Sequence, residues 1–277
     1  LYLGSNQLSG GIPAELGGLS QLVQFDLGDN DLTGPIPREL GNLKALQSLD
    51  VSLNRLTGNI PVELGGLTQL LWLSLGANRL DGPIPESLAG LTELRYLVLD
   101  NNSLSGYIPT ALANLTLLVE LHLASNHLIG PIPPELGQLA NLLALNLGEN
   151  HLSGPIPPAL GGLTELRYLY LGGNRLFGSI PPELGNLTQL RWLILTGNQL
   201  DGPLPDTLGQ LSQLLELRLS WNQFTGRIPD SFSGLANLES LELVGNQMTG
   251  LFPAYLGTLT HLQQIDVAWN QFSGPIP

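Results

Sequence analysis

An asparagine recurs every 24 residues along this chain, with no insertion and no gap. A glycine follows four residues after each of these asparagines, and a proline follows seven residues after each. A fixed period of this length is typical of one supersecondary unit that stacks on copies of itself. These ladder asparagines are Asn6, Asn30, Asn54, Asn78, Asn102, Asn126, Asn150, Asn174, Asn198, Asn222, Asn246 and Asn270. The chain is therefore predicted to form an array in which each repeat packs mainly against its neighbours.

The composition excludes several classes of protein. Hydrophobic residues make up 43% of the chain and charged residues only 12%, which suits an array whose residues mostly face a neighbouring repeat. Acidic residues outnumber basic ones by 23 to 10, and the net charge of −13 argues against nucleic acids and anionic membrane surfaces as partners. No apolar run approaches the roughly 20 residues that span a bilayer, so no membrane insertion is predicted. Cysteine is absent, which excludes disulfides and thiolate metal sites.

Each repeat combines three local signals. Before the ladder asparagine, residues such as 168–171 alternate with period two, which predicts a short strand with its leucines on one face. Successive strands are expected to pair in parallel, with the asparagine amide satisfying backbone groups at the turn. The later glycine permits a backbone conformation that other residues resist, and the Ile-Pro pair favours an extended stretch. Segments such as 182–185 are too short for an α-helix and are predicted to form 3₁₀ turns.

The complete repeat pattern is LxxLxxLxLxxNxLxGxIPxxLGxL, and the repeat that begins at Leu94 reads LRYLVLDNNSLSGYIPTALANLT. This pattern resembles the plant-type class of leucine-rich repeats, as found in receptor kinases, receptor-like proteins and polygalacturonase-inhibiting proteins. The resemblance implies an α/β, β-rich, right-handed solenoid with a parallel sheet on its concave face. Short extended segments and 3₁₀ turns would form the convex side. Residues 1–277 are expected to form a single array of about eleven and a half repeats.

The predicted array has no capping repeats. Residue 1 falls inside a strand, and Pro277 falls in a return segment. A repeat array needs caps, because an end repeat exposes a leucine-lined face. Members of the plant-type class usually carry paired cysteines there, and this chain has none. We therefore expect the sequence to be the ordered middle of a longer protein, or a chain whose ends are covered by something else.

Motifs for catalysis, cofactors and metals are missing. The only lysine, Lys44, lies in NLKAL, which excludes a phosphate-binding GxxxxGK[ST] loop, and GxSxG, HExxH and calcium-loop patterns do not occur. His127 and His151 share a repeat position, and exposed polar side chains explain them better than a metal site. The other two histidines are His122 and His261. We predict a protein without catalytic residues, cofactor or metal.

The aromatic residues separate by repeat position. Side chains seven, six, four, two and one residues before a ladder asparagine are predicted to point away from the core. All four tryptophans occupy those positions, whereas five of the six phenylalanines occupy core positions and Phe177 does not. Arginines are interleaved with the tyrosines and tryptophans, and such side chains are enriched in binding hot spots. The predicted ligand-binding residues on the concave face are Trp72, Arg95, Tyr96, Arg167, Tyr168, Tyr170, Arg191, Trp192, Arg218 and Trp221. The alternative is that these side chains simply cover an exposed sheet.

Two charged regions accompany these residues. The C-terminal part of the concave face is predicted to be acidic, which would suit an extended ligand with charged ends; its residues are Glu216, Glu239, Glu242 and Asp266. The position after the ladder asparagine forms a basic edge, interpreted as solvated, with a secondary contact strip as the alternative. The residues of this edge are Arg55, Arg79, Ser103, His127, His151 and Arg175.

Three N-x-[ST] sequons occur, at Asn101, Asn114 and Asn186. Asn114 and Asn186 share a repeat position on the predicted outer side, and this position resembles one that is often glycosylated in the plant-type class. Asn101 lies on the predicted concave side and would carry a glycan into the proposed site. The sequons favour an extracellular or cell-surface glycoprotein, while the absence of cysteine leaves a cytoplasmic location open.

Together these features indicate a non-enzymatic, receptor-like recognition module that presents a rigid concave surface to a protein, peptide or glycan ligand. Two alternatives remain. The array could be a structural subunit that packs laterally in an extracellular layer or another large assembly. It could also be the sensor portion of a larger kinase or GTPase protein.

Overall fold

The computed structural model of the protein describes residues 1–276, so the return segment predicted at Pro277 lies outside the described residues. The chain divides into two compact units, Leu1–Gly130 and Pro131–Pro277. Both units repeat the same three elements: a short strand before the ladder asparagine, a second strand after it, and a short 3₁₀ helix. We call the sheet built by the first strands the front sheet, and the sheet built by the second strands the side sheet.

The first unit has five front strands, all parallel and paired in chain order. They are Gln24–Asp26, Ser48–Asp50, Trp72–Ser74, Tyr96–Val98 and Glu120–His122. The side strands of this unit are Ser9–Gly10, Asp31–Gly34, Arg55–Asn59, Arg79–Pro83, Ser103–Gly106 and His127–Gly130. Its 3₁₀ helices are Ala14–Gly18, Arg38–Asn42, Val62–Gly66, Glu86–Gly90 and Thr110–Asn114.

The second unit has six front strands in the same parallel, sequential order. They are Ala144–Asn146, Tyr168–Tyr170, Trp192–Ile194, Glu216–Arg218, Ser240–Glu242 and Gln264–Asp266. The side strands are His151–Gly154, Arg175–Gly178, Gln199–Pro203 and Gln223–Thr225, followed by a separate pair, Thr249–Leu251 and Gln271–Ser273. The 3₁₀ helices are Pro134–Gln138, Pro158–Gly162, Pro182–Asn186, Asp206–Gln210, Asp230–Gly234 and Ala254–Thr258.

Neighbouring front strands are displaced by one repeat, so each residue pairs with the residue at the same position of the next repeat. In the first unit, Trp72 lies opposite Tyr96, and Leu73 lies opposite Leu97. Both leucines point inward and are fully buried, and burial of each such side chain contributes about 1.5–3 kcal/mol to folding. The residues on either side of each leucine point outward, as the period-two alternation predicts.

The ladder asparagines satisfy the backbone at each turn, which confirms their predicted role. The Nδ2 group of Asn54 donates to the carbonyl oxygens of Leu27, Val51 and Ser52 at 2.9, 3.2 and 3.0 Å. Its Oδ1 accepts a hydrogen bond from the backbone amide of Leu32 at 2.9 Å. Because Leu27 and Leu32 belong to the preceding repeat, each asparagine also ties two repeats together.

Two repeat positions adopt a positive φ. The first is the glycine four residues after the ladder asparagine, as predicted, with Gly178 at +76° as an example. The second is the residue directly before the ladder asparagine, which the sequence did not predict. There the turn imposes a left-handed conformation even on bulky residues such as Leu53 (53°) and Trp221 (58°). The left-handed conformation destabilises a residue that has a Cβ atom by roughly 1–2 kcal/mol, so the surrounding hydrogen bonds must stabilise the turn.

The extended segments after the ladder asparagines form a second sheet, where the sequence predicted only separate extended stretches. In this side sheet, the residue directly after one ladder asparagine pairs with the residue three positions after the ladder asparagine of the preceding repeat. For example, His127 pairs with Ser105. Stacking brings the polar backbone groups of adjacent repeats side by side, and pairing satisfies them. The predicted 3₁₀ turns are confirmed, for example by Pro182–Asn186. No helix in residues 1–276 is long and apolar enough to cross a bilayer.

Candidate functional site

The front face is the surface formed by side chains that lie seven, six, four, two and one residues before the ladder asparagines. All ten predicted ligand-binding residues lie on it, three in the first unit and seven in the second. Three of the five phenylalanines predicted at core positions, Phe25, Phe224 and Phe232, are fully buried, and Phe177 is exposed on the side sheet of the second unit, as predicted. The other two, Phe252 and Phe272, are only half-buried. Repeat position therefore separates front-face aromatic residues from core aromatic residues.

The first-unit cluster consists of Trp72, Arg95 and Tyr96. The rings of Trp72 and Tyr96 lie on adjacent strands with centroids 4.7 Å apart and planes inclined by 39°. Arg95 precedes Tyr96 and is exposed. Glu120, on the next strand, lies opposite Tyr96, and its Oε2 is 2.9 Å from Nε2 of His122. The cluster thus presents a tilted aromatic pair with charged groups around it.

The second-unit cluster centres on Trp192. Its ring makes edge contacts with Tyr168, at a centroid distance of 5.1 Å, and with Tyr170, at 5.9 Å. Aromatic pairs of this kind contribute about 0.5–1.5 kcal/mol beyond the area that they bury. Because three rings hold one another in place, this part of the front face offers a rigid apolar surface that needs little ordering when a ligand binds.

Two arginines lie beside this aromatic cluster. Arg167 and Arg191 occupy the same position in adjacent repeats, and the amide of Arg191 donates to the carbonyl oxygen of Arg167 at 2.8 Å. Both side chains are exposed, and neither guanidinium forms a salt bridge within residues 1–276. The two cations are therefore available to an anionic group of a ligand.

The phenol of Tyr170 is held in its neutral form. Partial burial raises its pKa to about 12, with smaller contributions in the same direction from the negative charge of Glu216 and from Tyr168. The positive charge of Arg218 acts in the opposite sense. At neutral pH the hydroxyl of Tyr170 can therefore donate a hydrogen bond on the front face.

Arg218 differs from the other predicted arginines because it already has carboxylate neighbours. Its Nη2 lies 2.8 Å from Oε2 of Glu216, and its Nε lies 3.4 Å from Oε1 of Glu242. The second contact lacks hydrogen-bond geometry, since Nε is buried without a hydrogen-bond partner. The repeat register could have indicated this grouping, because Glu242 lies directly opposite Arg218.

Trp221 lies at the edge of the front face and is 59% exposed. It occupies the left-handed position before a ladder asparagine, and its ring extends over Gly245, the residue at the same position of the next repeat. Trp269 has the same backbone conformation and is 80% exposed. Sequence reasoning noted the position of Trp269 but did not include it in the site.

The predicted sequons lie on the surface. Asn114 ends the helix Thr110–Asn114 and Asn186 ends the helix Pro182–Asn186, and both side chains are exposed. Asn101 is exposed as well, and its Nδ2 donates to Oδ2 of Asp100 at 2.6 Å. Within residues 1–276, no three histidine, aspartate or glutamate side chains are placed to hold a metal ion. On the basic edge, Arg55 forms an ion pair with Asp31 at 2.7 Å.

These features define a leucine-rich-repeat protein whose four tryptophans all lie on the front face. Comparison with family models agrees: a model described as "Leucine-rich repeat region" matches residues 157–274. Models described as "Leucine rich repeat" match residues 81–128 and 129–176, and residues 21–43 and 45–67. No curated protein sequence matches the chain.

Solved structures extend this similarity. A TDR receptor is 35% identical, with a TM-score of 0.96, over 99% of this chain and 48% of the receptor chain. The plant peptide hormone receptor RGFR1, in complex with RGF2, is 36% identical, with a TM-score of 0.89, over 98% of this chain and 47% of that chain. A leucine-rich-repeat protein of Leptospira interrogans is 31% identical, with a TM-score of 0.66, over 99% of this chain and 79% of that chain. The chain belongs to the leucine-rich-repeat family, in its plant-type class. It spans about half the length of the two receptor chains.

Proposed function

We propose that this chain is a non-enzymatic, extracellular recognition module that binds an extended peptide on its front face. The observation that carries the proposal is the contact of the Trp192 ring with both Tyr168 and Tyr170, beside two arginines that have no salt-bridge partner within residues 1–276. A sheet that only needed a polar cover would not require three mutually fixed rings next to unpaired cations. Rigid aromatic side chains of this kind provide contact area with little loss of conformational freedom.

Among the possible ligands, the comparisons favour a peptide over a protein or a glycan. The structure of RGFR1 is a complex with RGF2 and is described as that of a plant peptide hormone receptor. The receptor kinase HAESA of Arabidopsis, 31% identical to this chain, was solved with the peptide hormone IDA and the co-receptor SERK1. An extracellular location is consistent with these relatives and with the exposed sequons at Asn114 and Asn186.

The proposal can be tested with a displayed library of random peptides selected on the purified chain. Replacing two rings, in Tyr168→Ala with Trp192→Ala, should weaken the selected peptides at least tenfold, because truncation of a hot-spot aromatic residue costs about 2 kcal/mol or more. A matched control is Phe177→Ala, which removes an exposed aromatic side chain from the side sheet of the same unit. This control should leave binding unchanged.

Thermal unfolding of all variants checks that the fold persists. Peptide binding that survives the double substitution, or that Phe177→Ala weakens equally, would show that the front face is not the binding surface.

A further inference from the structure

The charges on the front face of the second unit are ordered along the stack of strands. Arg167 and Arg191 lie directly before the two strands that carry the aromatic cluster, next to Tyr168 and Trp192. Glu242 and Asp266 lie on the C-terminal side of this cluster and face each other across adjacent strands. The strand Glu216–Arg218 lies between the two groups. The front face of this unit therefore has a basic end and an acidic end.

The basic end is not neutralised by the protein. Arg167 and Arg191 occupy adjacent strands, which lie about 4.8 Å apart in a parallel sheet. Like charges placed side by side are mutually repulsive, and neither of these has a carboxylate partner within the described residues. A carboxylate placed between them would accept charge-assisted hydrogen bonds from both and remove the repulsion.

The acidic end carries more negative charge than the protein balances. Arg218 is shared between Glu216 and Glu242, so one guanidinium serves two carboxylates. Asp266 forms no salt bridge within residues 1–276, and its Oδ1 accepts a hydrogen bond from the backbone amide of Ala268 at 3.1 Å. A cationic group from outside the protein would find two adjacent carboxylates, those of Glu242 and Asp266, with a single shared arginine nearby.

A second observation at this end is independent of charge. Ser240 lies opposite Glu216 and is only 9% exposed, yet its Oγ has no hydrogen-bond partner. Nε of Arg218 is also buried without a hydrogen-bond partner. Folded proteins satisfy the large majority of their buried polar groups, so two unsatisfied groups at this end need an explanation. A polar group of a ligand that draws Glu242 or Arg218 aside would supply the missing partners.

The spacing of the two ends sets the length of such a ligand. From Arg191 to Glu242 the path crosses two strand spacings, and from Arg167 to Asp266 it crosses four, which is about 10–19 Å along the sheet. The basic residues also lie three positions earlier in their repeats than the acidic ones, which adds about 10 Å across the strands. The two ends are therefore roughly 14–21 Å apart, the reach of about four to six extended residues at 3.3–3.6 Å each.

We propose that the second unit binds a peptide in one orientation, with a carboxylate at Arg167 and Arg191 and a basic side chain at Glu242 and Asp266, about four to six residues apart. This inference rests on the proposed peptide-binding function and specifies the chemistry of its ligand. The aromatic cluster would hold the part of the peptide next to its carboxylate, while the two charged ends would fix its direction.

Two synthetic peptides test the inference. The dipolar probe has two aspartates, a short Tyr-Ser-Tyr-Ser segment and two lysines, and the neutral probe has serine at the four charged positions. The dipolar probe should bind at least tenfold more tightly at low salt. Arg167→Glu with Arg191→Glu, or Glu242→Lys with Asp266→Lys, should each abolish that advantage, so that the dipolar probe binds no more tightly than the neutral probe does to the same variant.

Combining all four substitutions reverses both ends, so the dipolar probe should bind again in the opposite direction. A photocrosslinker on its acidic end should label the strand Trp192–Ile194 in the wild type and the strand Gln264–Asp266 in the reversed protein. Arg175→Glu, an exposed charge reversal on the side sheet of the same unit, is the matched control and should have no effect.

The outcomes separate this inference from the proposed function. Two results would reject the proposed order of charges and leave the peptide-binding function intact. Both probes could bind equally well, or neither could bind while library peptides still bind through Tyr168 and Trp192. Labelling of the same strand in both proteins overturns the orientation. If no library peptide depends on the aromatic cluster, the proposed function fails and this inference fails with it.

Discussion

The indole ring of Trp221 fills the space where a Cβ atom of Gly245 would lie. A Cβ built on Gly245 would be 2.6 Å from Cε3 of that ring. Both residues directly precede a ladder asparagine, and both have a positive φ. The exposed tryptophan thus rests on the next repeat only because that repeat has a glycine at the matching position.

This relationship predicts the effect of adding one methyl group. Gly245→Ala should lower the free energy of unfolding by about 1–2 kcal/mol from the left-handed conformation alone, and by about 1 kcal/mol more from the lost indole contact. The matched control is Gly197→Ala, because Gly197 has a similar φ of 71° but its Cβ would meet nothing closer than 3.7 Å. Denaturant titration measures both losses.

Tryptophan fluorescence distinguishes the two effects. Emission should shift to longer wavelength in Gly245→Ala and not in Gly197→Ala, and the shift should vanish in a Trp221→Leu background. Equal stability losses and unchanged emission in both glycine variants would show that the indole does not rest on Gly245 in solution.

Glycosylation should be confined to the two sequons that lie away from the front face. When the chain is secreted from a eukaryotic host, glycopeptide mass spectrometry should find sugar on Asn114 and Asn186. Thr116→Ala and Thr188→Ala should each remove one glycan, and Ser103→Ala should remove none. A glycan on Asn101 would contradict an open front face in the first unit, because Asn101 belongs to the same repeat as Tyr96.

Much of this fold can be predicted from the period alone. The spacing of leucines, ladder asparagines and glycines determines which residues are buried. Because each front strand pairs with the equivalent strand of the next repeat, Trp72 lies opposite Tyr96. The left-handed conformation before each ladder asparagine was missed because residues as different as Leu53 and Trp221 occupy it, so residue type carries little signal there.

The candidate site was predictable to a lesser degree. Repeat position identified which aromatic side chains reach the front face, because burial follows directly from strand alternation. It did not show that Arg218 is shared by two carboxylates while Arg167 and Arg191 have none, because ion pairing depends on side-chain conformations and on the chemistry of neighbouring repeats. The side sheet was missed for a related reason, since its pairing is made by backbone groups.

The stability of the protein should fall at alkaline pH, partly because of Tyr170. Its pKa is raised from the ordinary value of 10.0 to about 12 in the folded protein, chiefly by burial. Between these values the folded state binds more protons than the unfolded state, so stability decreases as the pH rises through the interval. Tyr170→Phe should reduce the slope of unfolding free energy against pH there.

Glu216→Gln is the matched control for the cause of this shift. It removes the second contribution to the raised pKa of Tyr170 and should lower that pKa, as followed by ultraviolet absorbance of the phenolate. If Tyr170→Phe leaves the slope of unfolding free energy against alkaline pH unchanged, the pKa of this phenol is not raised in the folded protein.

The ladder asparagines in the second unit should be among the least replaceable residues of the chain. Asn222 is buried; its Nδ2 donates to the carbonyl oxygens of Leu195 and Leu219 at 3.0 and 3.2 Å, and its Oδ1 accepts the amide of Leu200 at 3.0 Å. Asn222→Ala leaves these buried groups unpaired and should lower the free energy of unfolding by about 2–5 kcal/mol, measured by denaturant titration. Asn6→Ala is the control, because the Asn6 side chain is exposed and bonds only to the carbonyl oxygens of its own turn. A loss in Asn222→Ala no larger than that in Asn6→Ala would mean that leucine packing alone holds neighbouring repeats together.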